Sequence, residues 1–205
     1  GALQRRYQGA LTHIFEPGTC AMPRFDLLAG RPYNRVTIQT SRGCPRHCEF
    51  CAASPLITRG FQQKPVPQVL AEIQSARQHV PHPFFEFADD NTFLDKAWGR
   101  EFLAAIRPLG IKWFTETDAS IADDPDLCDR LADAGCRQLL IGFESPREGD
   151  LVNIDPQKWK SRVAPRASRI VDVVQSRGVS VNGCFILGLD DHTPEIFPLV
   201  RDFVR

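Results

Sequence analysis

The chain has 205 residues, with 25 basic and 25 acidic side chains, so its formal charge is zero; 42% of residues are hydrophobic and 24% charged. That balance describes a globular domain with room for one sizeable core, and it argues against the broad basic face of a general nucleic-acid binder, leaving only a local patch open. No run of 18 or more apolar residues and no signal-peptide pattern is present, so no membrane segment and a cytoplasmic location are expected.

Residues 1–34 show no sustained period and carry the turn signals Glu16-Pro17-Gly18 and Ala29-Gly30-Arg31-Pro32. They read as a linker or lead-in, with the folded domain spanning 35–205. The first strand is expected at about 35–40, with Val36 and Ile38 on one side. A long polar loop then runs to about Lys64. A helix over roughly 65–79 follows, with Val66, Val69, Leu70, Ile73 and Ala76 at helical spacing and Pro65 and Pro67 confined to its first turn.

The second strand is Phe84–Ala88, ending in Asp89-Asp90-Asn91. Asp95 is placed to cap a helix whose Trp98, Phe102 and Ile106 share a face. The third strand, about 111–116, runs into Thr117-Asp118. Next comes a helix with clear punctuation: Asp124 as N-cap, Pro125 at the first position, Leu127, Leu131 and Ala134 as the stripe, Gly135 after the end. The fourth strand is about 138–143 and ends in Glu144-Ser145. A polar stretch, 146–163, leads to a helix at about 164–177. The fifth strand, about 179–187, ends at Gly188-Leu189-Asp190-Asp191. A last helix opens at Thr193-Pro194, and Pro198 delays or kinks it.

Five β-α units in succession predict a parallel sheet with helices outside, and the largely apolar strands suggest a sheet covered on both faces. No G-x-G-x-x-G follows the first strand, which disfavours a dinucleotide-binding fold. The fold class is therefore α/β, a partial parallel (β/α) barrel with about five of six units. The chain starts without methionine and stops after the fifth helix, so it is expected to be part of a longer protein. With the edge of the fifth strand open, the piece alone is expected to be poorly soluble or marginally folded.

In such a barrel the chemistry collects at the carboxyl ends of the strands. Here those ends carry a cysteine loop, then Asp89-Asp90-Asn91, Glu116-Thr117-Asp118, Glu144-Ser145 and Asp190-Asp191. The cysteine loop is Cys44, Cys48 and Cys51 at C-x3-C-x2-C spacing, and converging thiolates suit a soft metal centre. A closed zinc site needs a fourth ligand, and only His47 is near, in an awkward position beside Cys48. Three cysteines on a four-iron cluster would leave one iron open, and this is the favoured alternative. Seven cysteines, an odd number, argue against a secreted disulfide framework; Cys128, Cys136 and Cys184 read as small buried hydrophobes and Cys20 as incidental.

These blocks resemble the radical S-adenosylmethionine superfamily. The likeness covers about residues 30–205: C-x3-C-x2-C after the first strand, Asp89-Asp90-Asn91 after the second, Gly142-Phe143-Glu144-Ser145 at the fourth, and Phe185-Ile186-Leu187-Gly188-Leu189 at the fifth. Thr40-Ser41-Arg42-Gly43-Cys44-Pro45 and the lead-in Pro23-Arg24-Phe25-Asp26-Leu27-Leu28 are most similar to the subgroup that carries an N-terminal cobalamin-binding domain. The resemblance implies that residues 1–34 link to such a domain, absent from this chain, and that cobalamin is bound there. It also implies that Cys44, Cys48 and Cys51 hold a [4Fe-4S] cluster, with S-adenosylmethionine on its fourth iron. Reduction of the cluster would cleave the sulfonium and release a 5′-deoxyadenosyl radical.

By the same resemblance Phe50 packs near the adenine, Asp89, Asp90 and Asn91 face the methionine amino group, and Glu116 and Glu144 meet ribose or amino-acid polar groups. Ile186 and Gly188 flank the adenine from the fifth strand. Core packing is an equal alternative for Phe50 and Ile186. The implied activity is methylation, cyclisation or rearrangement of a small-molecule or lipid substrate, with an electron donor such as flavodoxin or ferredoxin. A methylthiotransferase-like protein and a non-catalytic zinc-binding module are the alternatives.

Overall fold

In a computed structural model of the chain, residues 17–46, 48–52, 61–155 and 158–205 are described. His47, weighed above as a zinc ligand, lies outside the described residues. So do residues 1–16 of the lead-in and 53–60 of the cysteine loop.

Five strands form one parallel sheet in the order β1 (Arg35–Ile38), β4 (Phe84–Phe87), β5 (Lys112–Thr117), β6 (Cys136–Glu144) and β7 (Ser180–Phe185). Every neighbouring pair is parallel. Helices α1 (Val66–His79), α2 (Lys96–Ile106) and α3 (Pro125–Asp133) follow the strands as expected. Strand alternation decides what each face does. Val36, Ile38, Phe85, Phe87, Trp113, Leu139 and Ile141 turn towards the helices and are buried, with Phe102, Ile73 and Leu131 packed against them. Phe87 meets Phe102 edge-on at 5.1 Å and Trp113 at 5.3 Å.

The expectation of a sheet covered on both faces is corrected here: one face packs against helices and the other is largely polar. The intervening residues Arg35, Thr37, Lys112, Glu116 and Asn182 are exposed and Glu86 half-buried. This second face is largely polar; Phe84 and Phe114, stacked at 6.1 Å, are its aromatic members. Runs such as Phe84-Phe85-Glu86-Phe87 look continuous in sequence, but only alternate members reach the helical side.

The helix punctuation works as read. Asp95 accepts hydrogen bonds from Ala97 N (2.9 Å) and Trp98 N (3.0 Å), and Asp124 accepts from Leu127 N (3.1 Å). Gly135 has φ +93°, and a Cβ there would press into the Ile111 carbonyl oxygen. Gly135→Ala is therefore expected to destabilise by about 2–3 kcal/mol, through left-handed strain and backbone collision together, measured by urea denaturation.

Three boundaries move. The stretch 146–163 contains a helix, α4 (Glu148–Ile154), and a 3-10 turn, Lys160–Arg162. The predicted helix at 164–177 begins as a 3-10 turn at Ala164–Arg166 and becomes α5 only at Ala167–Gln175, because Pro165 can serve a first turn but not an interior one. The last helix, α6 (Ile196–Phe203), starts late enough to put Pro198 in its first turn. A two-residue antiparallel pair, β2 (Ser41–Arg42) with β3 (Gln62–Gln63), closes the base of the cysteine loop and was not anticipated.

Two further features bear on the loop. Lys64, at its exit, forms a buried pair with Glu72 of α1 (2.7 Å), while Lys64 N donates to Thr40 O and Trp98 Nε1 donates to Lys64 O. In the lead-in, Phe25 is buried in the main core, so this segment is docked rather than free. Among the described residues β7 has a neighbour on one side only, and no helix is long and apolar enough to cross a membrane.

Candidate functional site

The carboxyl ends of the five strands surround a cavity of about 250 Å³. Its wall includes Cys44, Cys48 and Cys51, together with Phe50, Asp90, Asn91, Glu116 and Glu144. Thus eight residues singled out from sequence meet in one place. Asp89, Ile186 and Gly188 do not line it.

The loop is held by its backbone. Asp89, fully buried, accepts hydrogen bonds from Thr40 N (2.7 Å), Ser41 N (2.7 Å), Thr40 Oγ1 (2.5 Å) and Thr92 Oγ1 (2.8 Å). Gly43, at φ +80°, turns the chain, and its N–H donates to Asp90 Oδ2 (3.0 Å). Cys51 N donates to Cys48 O (3.0 Å), and Glu49 N donates to Ile154 O at the end of α4 (3.0 Å). The loop is thereby anchored to β4 and to the β6–α5 connection. Burial pushes the Asp89 carboxyl up, against the pull of the Thr40, Ser41 and Thr92 donors.

Asn91 donates to Asp118 Oδ2 (3.0 Å) and accepts from Thr117 Oγ1 (3.2 Å). Asp118 also accepts from Ser120 N (2.8 Å) and pairs with Arg46 (3.2 Å). Burial works to raise its carboxyl, but the Ser120 and Asn91 hydrogen bonds and the Arg46 charge bring it below the usual range. Glu116 is exposed at the cavity, yet the surrounding protein, and the charges of Asp90, Glu86 and Asp89 after it, hold its carboxyl above the ordinary value. Phe50 is 40% exposed, which excludes the core-packing alternative for it.

On the β6 side, Glu144 has φ +66°, a left-handed conformation costly for a side chain of its size. It pairs with Lys160, whose Nζ is 2.6 Å from Glu144 Oε1 and donates to Gly142 O (2.8 Å). A Cβ on Gly142 would run into Glu144 Oε1 and displace the carboxylate, so this placing of the pair relies on a glycine there. Trp159 lies under two cations, 4.5 Å from Arg46 Cζ and 4.7 Å from Lys160 Nζ. Asp118, read from the sequence as a strand-end group, lines the cavity, as do Arg46, Trp159 and Lys160, which were missed in the sequence. Lys160 sits in a stretch whose composition marks only a polar connection; its place after a strand end was the one available signal.

Cys184 is a correction. It was expected to be a small buried hydrophobe, as Cys128 and Cys136 are, but it is half-buried and lines the cavity. The pairing Gly142↔Cys184 puts it at the rim end of β7, on the inward alternation. Ile186 continues from β7, its N–H donating to Glu144 O (2.8 Å). Gly188 is exposed at φ +95° and donates to His192 Nδ1 (3.2 Å). His192 Nε2 in turn meets Asp150 Oδ2 (2.9 Å), which also takes Ser145 Oγ and Arg147 Nε. This network ties the segment after β7 to α4.

The donor set fits a soft cluster. Burial pushes the Cys44 and Cys48 thiols up, and at Cys48 the Lys160 charge opposes that shift. Thiolates at such positions need a compensating metal charge. All three thiols line the cavity, and among the described residues no group of three ligating side chains is drawn together tightly enough for a single metal ion.

Comparison with known proteins agrees in kind. The family model described as Radical SAM superfamily matches residues 38–204. The bacteriochlorophyllide d C-12(1)-methyltransferase of Chlorobaculum tepidum is 24% identical over 196 residues, 91% of this chain and 42% of that protein. The cytidylyl-2-hydroxyethylphosphonate methyltransferase of Streptomyces wedmorensis is 28% identical over 74% of this chain and 28% of its own length. The chain thus spans less than half of these relatives. Among solved structures, the radical S-adenosylmethionine methyltransferase TsrM from Kitasatospora setae, with cobalamin and a [4Fe-4S] cluster bound, superposes with TM-score 0.72 at 20% identity. The match covers 83% of this chain and 34% of that one.

Proposed function

The chain belongs to the radical SAM superfamily, and on that premise we propose that it is the cluster-binding and S-adenosylmethionine-binding core of a radical methylase. Cys44, Cys48 and Cys51 would hold a [4Fe-4S] cluster. Such a cluster, with S-adenosylmethionine bound, would supply an electron for reductive cleavage of the sulfonium to methionine and a 5′-deoxyadenosyl radical. The observation that carries the assignment is that three thiols and the polar ends of β4, β5 and β6 face one cavity.

The residues of this chain bind, orient and exclude. Asp90 and Glu116 give the β4–β5 side of the cavity a negative character suited to an amino group. Arg46 and Lys160 bring cations on the loop and β6 side, suited to a carboxylate. The cavity would therefore orient a zwitterionic amino-acid end by its two signs. Phe50, exposed and on the wall, offers a flat apolar surface to the adenine. Asp89 acts behind the wall, as the anchor of the loop backbone, not as a contact for the ligand. Ile186 and Gly188 remain candidates for the adenine's other flank only if the ligand extends past the cavity.

The proposal extends to methyl transfer with cobalamin held by a further domain; its support is that the matched proteins are methyltransferases and that one of them was solved with cobalamin bound. The substrate would be a small molecule or lipid, and a flavodoxin or ferredoxin would donate the electron. The test is anaerobic reconstitution with iron and sulfide. Expected are bound iron and sulfide, and release of 5′-deoxyadenosine and methionine on reduction with S-adenosylmethionine present. Stoichiometric zinc with no cluster would overturn the assignment in favour of a metal clip.

A further inference from the structure

Lys160 was not among the residues read from sequence, yet it is the most confined cation at the cavity. Its side chain is 6% exposed and Glu144's is 9%. Its ammonium is held by Glu144 Oε1 (2.6 Å) and Gly142 O (2.8 Å), and its backbone N–H donates to Asp155 (2.7 Å). The segment that carries it is tied to the cysteine loop twice, by Glu49 N on Ile154 O and by the Arg46 guanidinium stacked on Trp159. A buried ammonium that lines the same cavity as the three thiols, and whose charge is felt at Cys48, exerts a field that solvent and salt screen poorly.

We propose that Lys160 is a positioning residue that sets the reduction potential of the cluster, with Glu144 as its counter-charge; this rests on the cluster assignment above. Taking up one electron adds one negative charge to the cluster and its thiolates. A nearby fixed cation stabilises that reduced form, and a nearby anion destabilises it. The pair is arranged for such tuning. Glu144 accepts a left-handed backbone to reach Lys160, and Gly142 leaves the space for their contact. The electron itself comes from an external low-potential one-electron donor.

The test is a mediated redox titration of the reconstituted protein without S-adenosylmethionine, reduced by dithionite and followed by electron paramagnetic resonance of the reduced cluster. Lys160→Met is expected to lower the ratio of reduced to oxidised cluster at a given potential about tenfold, a shift of about 59 mV to more negative values. Lys160→Arg should stay near wild type. Glu144→Gln should shift the other way, and the double variant Lys160→Met/Glu144→Gln should fall between the two singles. If Lys160→Met and wild type titrate together, or Glu144→Gln shifts in the same direction as Lys160→Met, the inference is wrong. Should Lys160→Met fail to retain a cluster, Glu144→Gln alone decides: a rise supports the inference and no change overturns it. A wild-type protein that assembles no cluster would instead overturn the assignment of the site.

Discussion

Replacing Cys48 by alanine is expected to abolish cluster assembly while leaving the β/α fold intact. The reason lies in how the loop is held. Its anchors are Asp89 on Thr40 and Ser41, Asp90 on Gly43, and Ile154 O on Glu49 N, none of which uses a thiol. The core beneath is built from Phe85, Phe87, Trp113 and the helices, and the loop cysteines are not part of it. Two remaining thiolates hold a cluster poorly, so bound iron and sulfide should fall to background. Reductive cleavage of S-adenosylmethionine should drop by at least about 1,000-fold, the scale on which an essential catalytic group is felt. Circular dichroism and urea midpoint should change little. A structural metal clip would behave differently, since its loss removes folding free energy directly and the variant would unfold.

Asp89→Ala is expected to do the reverse, destabilising the fold and through it the site. It would leave Thr40 N, Ser41 N and two threonine hydroxyls without their acceptor in a fully buried place. The expected cost is about 4 kcal/mol, from several buried donors losing a charged acceptor at once. Urea denaturation measures it, and limited proteolysis should find the cysteine loop cut first. A loss below about 1 kcal/mol would mean that water takes over the carboxylate's role. The pH dependence has a definite sign. Burial raises the folded carboxyl above its unfolded value, so protonation favours folding. The contribution of Asp89 is then most favourable below about pH 3.9, the unfolded carboxyl's value, and declines as pH rises through the folded one, opposite in sign to that of Asp118, whose carboxyl lies below the usual range. Asp89→Asn should lack this slope.

These two residues also mark how far a linear reading reaches. The cysteine triad is a local signal, because three thiols within eight residues can meet only around a shared centre. Helix caps are equally local: Asp95 and Asp124 reach N–H groups two or three residues away, so the pattern and its use are the same thing. Asp89-Asp90-Asn91 looked like one ligand set, and the three side chains diverge. Asp89 turns back to Thr40 and Ser41 at the start of the cysteine loop, Asp90 bonds Gly43, and Asn91 reaches across to Asp118. Consecutive residues leaving a strand point in different directions, and which direction meets a ligand depends on what the neighbouring strand presents.

The cavity residues whose place the sequence does not reveal share a cause. Lys160 pairs with a residue 16 positions away, Arg46 with one 72 positions away, and Cys184 joins the site through its register with Gly142. None has a local pattern, since burial and partner are set by strand order. The polar inner face of the sheet was likewise invisible until alternation was applied to packed strands.

What the sequence determined by itself was the β-α order, the N-caps Asp95 and Asp124 and the cysteine loop, because each depends on contacts within a few residues. The tertiary structure decided which strand-end groups share the cavity, which of them act from behind it, and that a buried lysine stands beside the thiols. Those outcomes depend on parallel strands separated by whole helices coming to lie side by side, and on the register in which they pair.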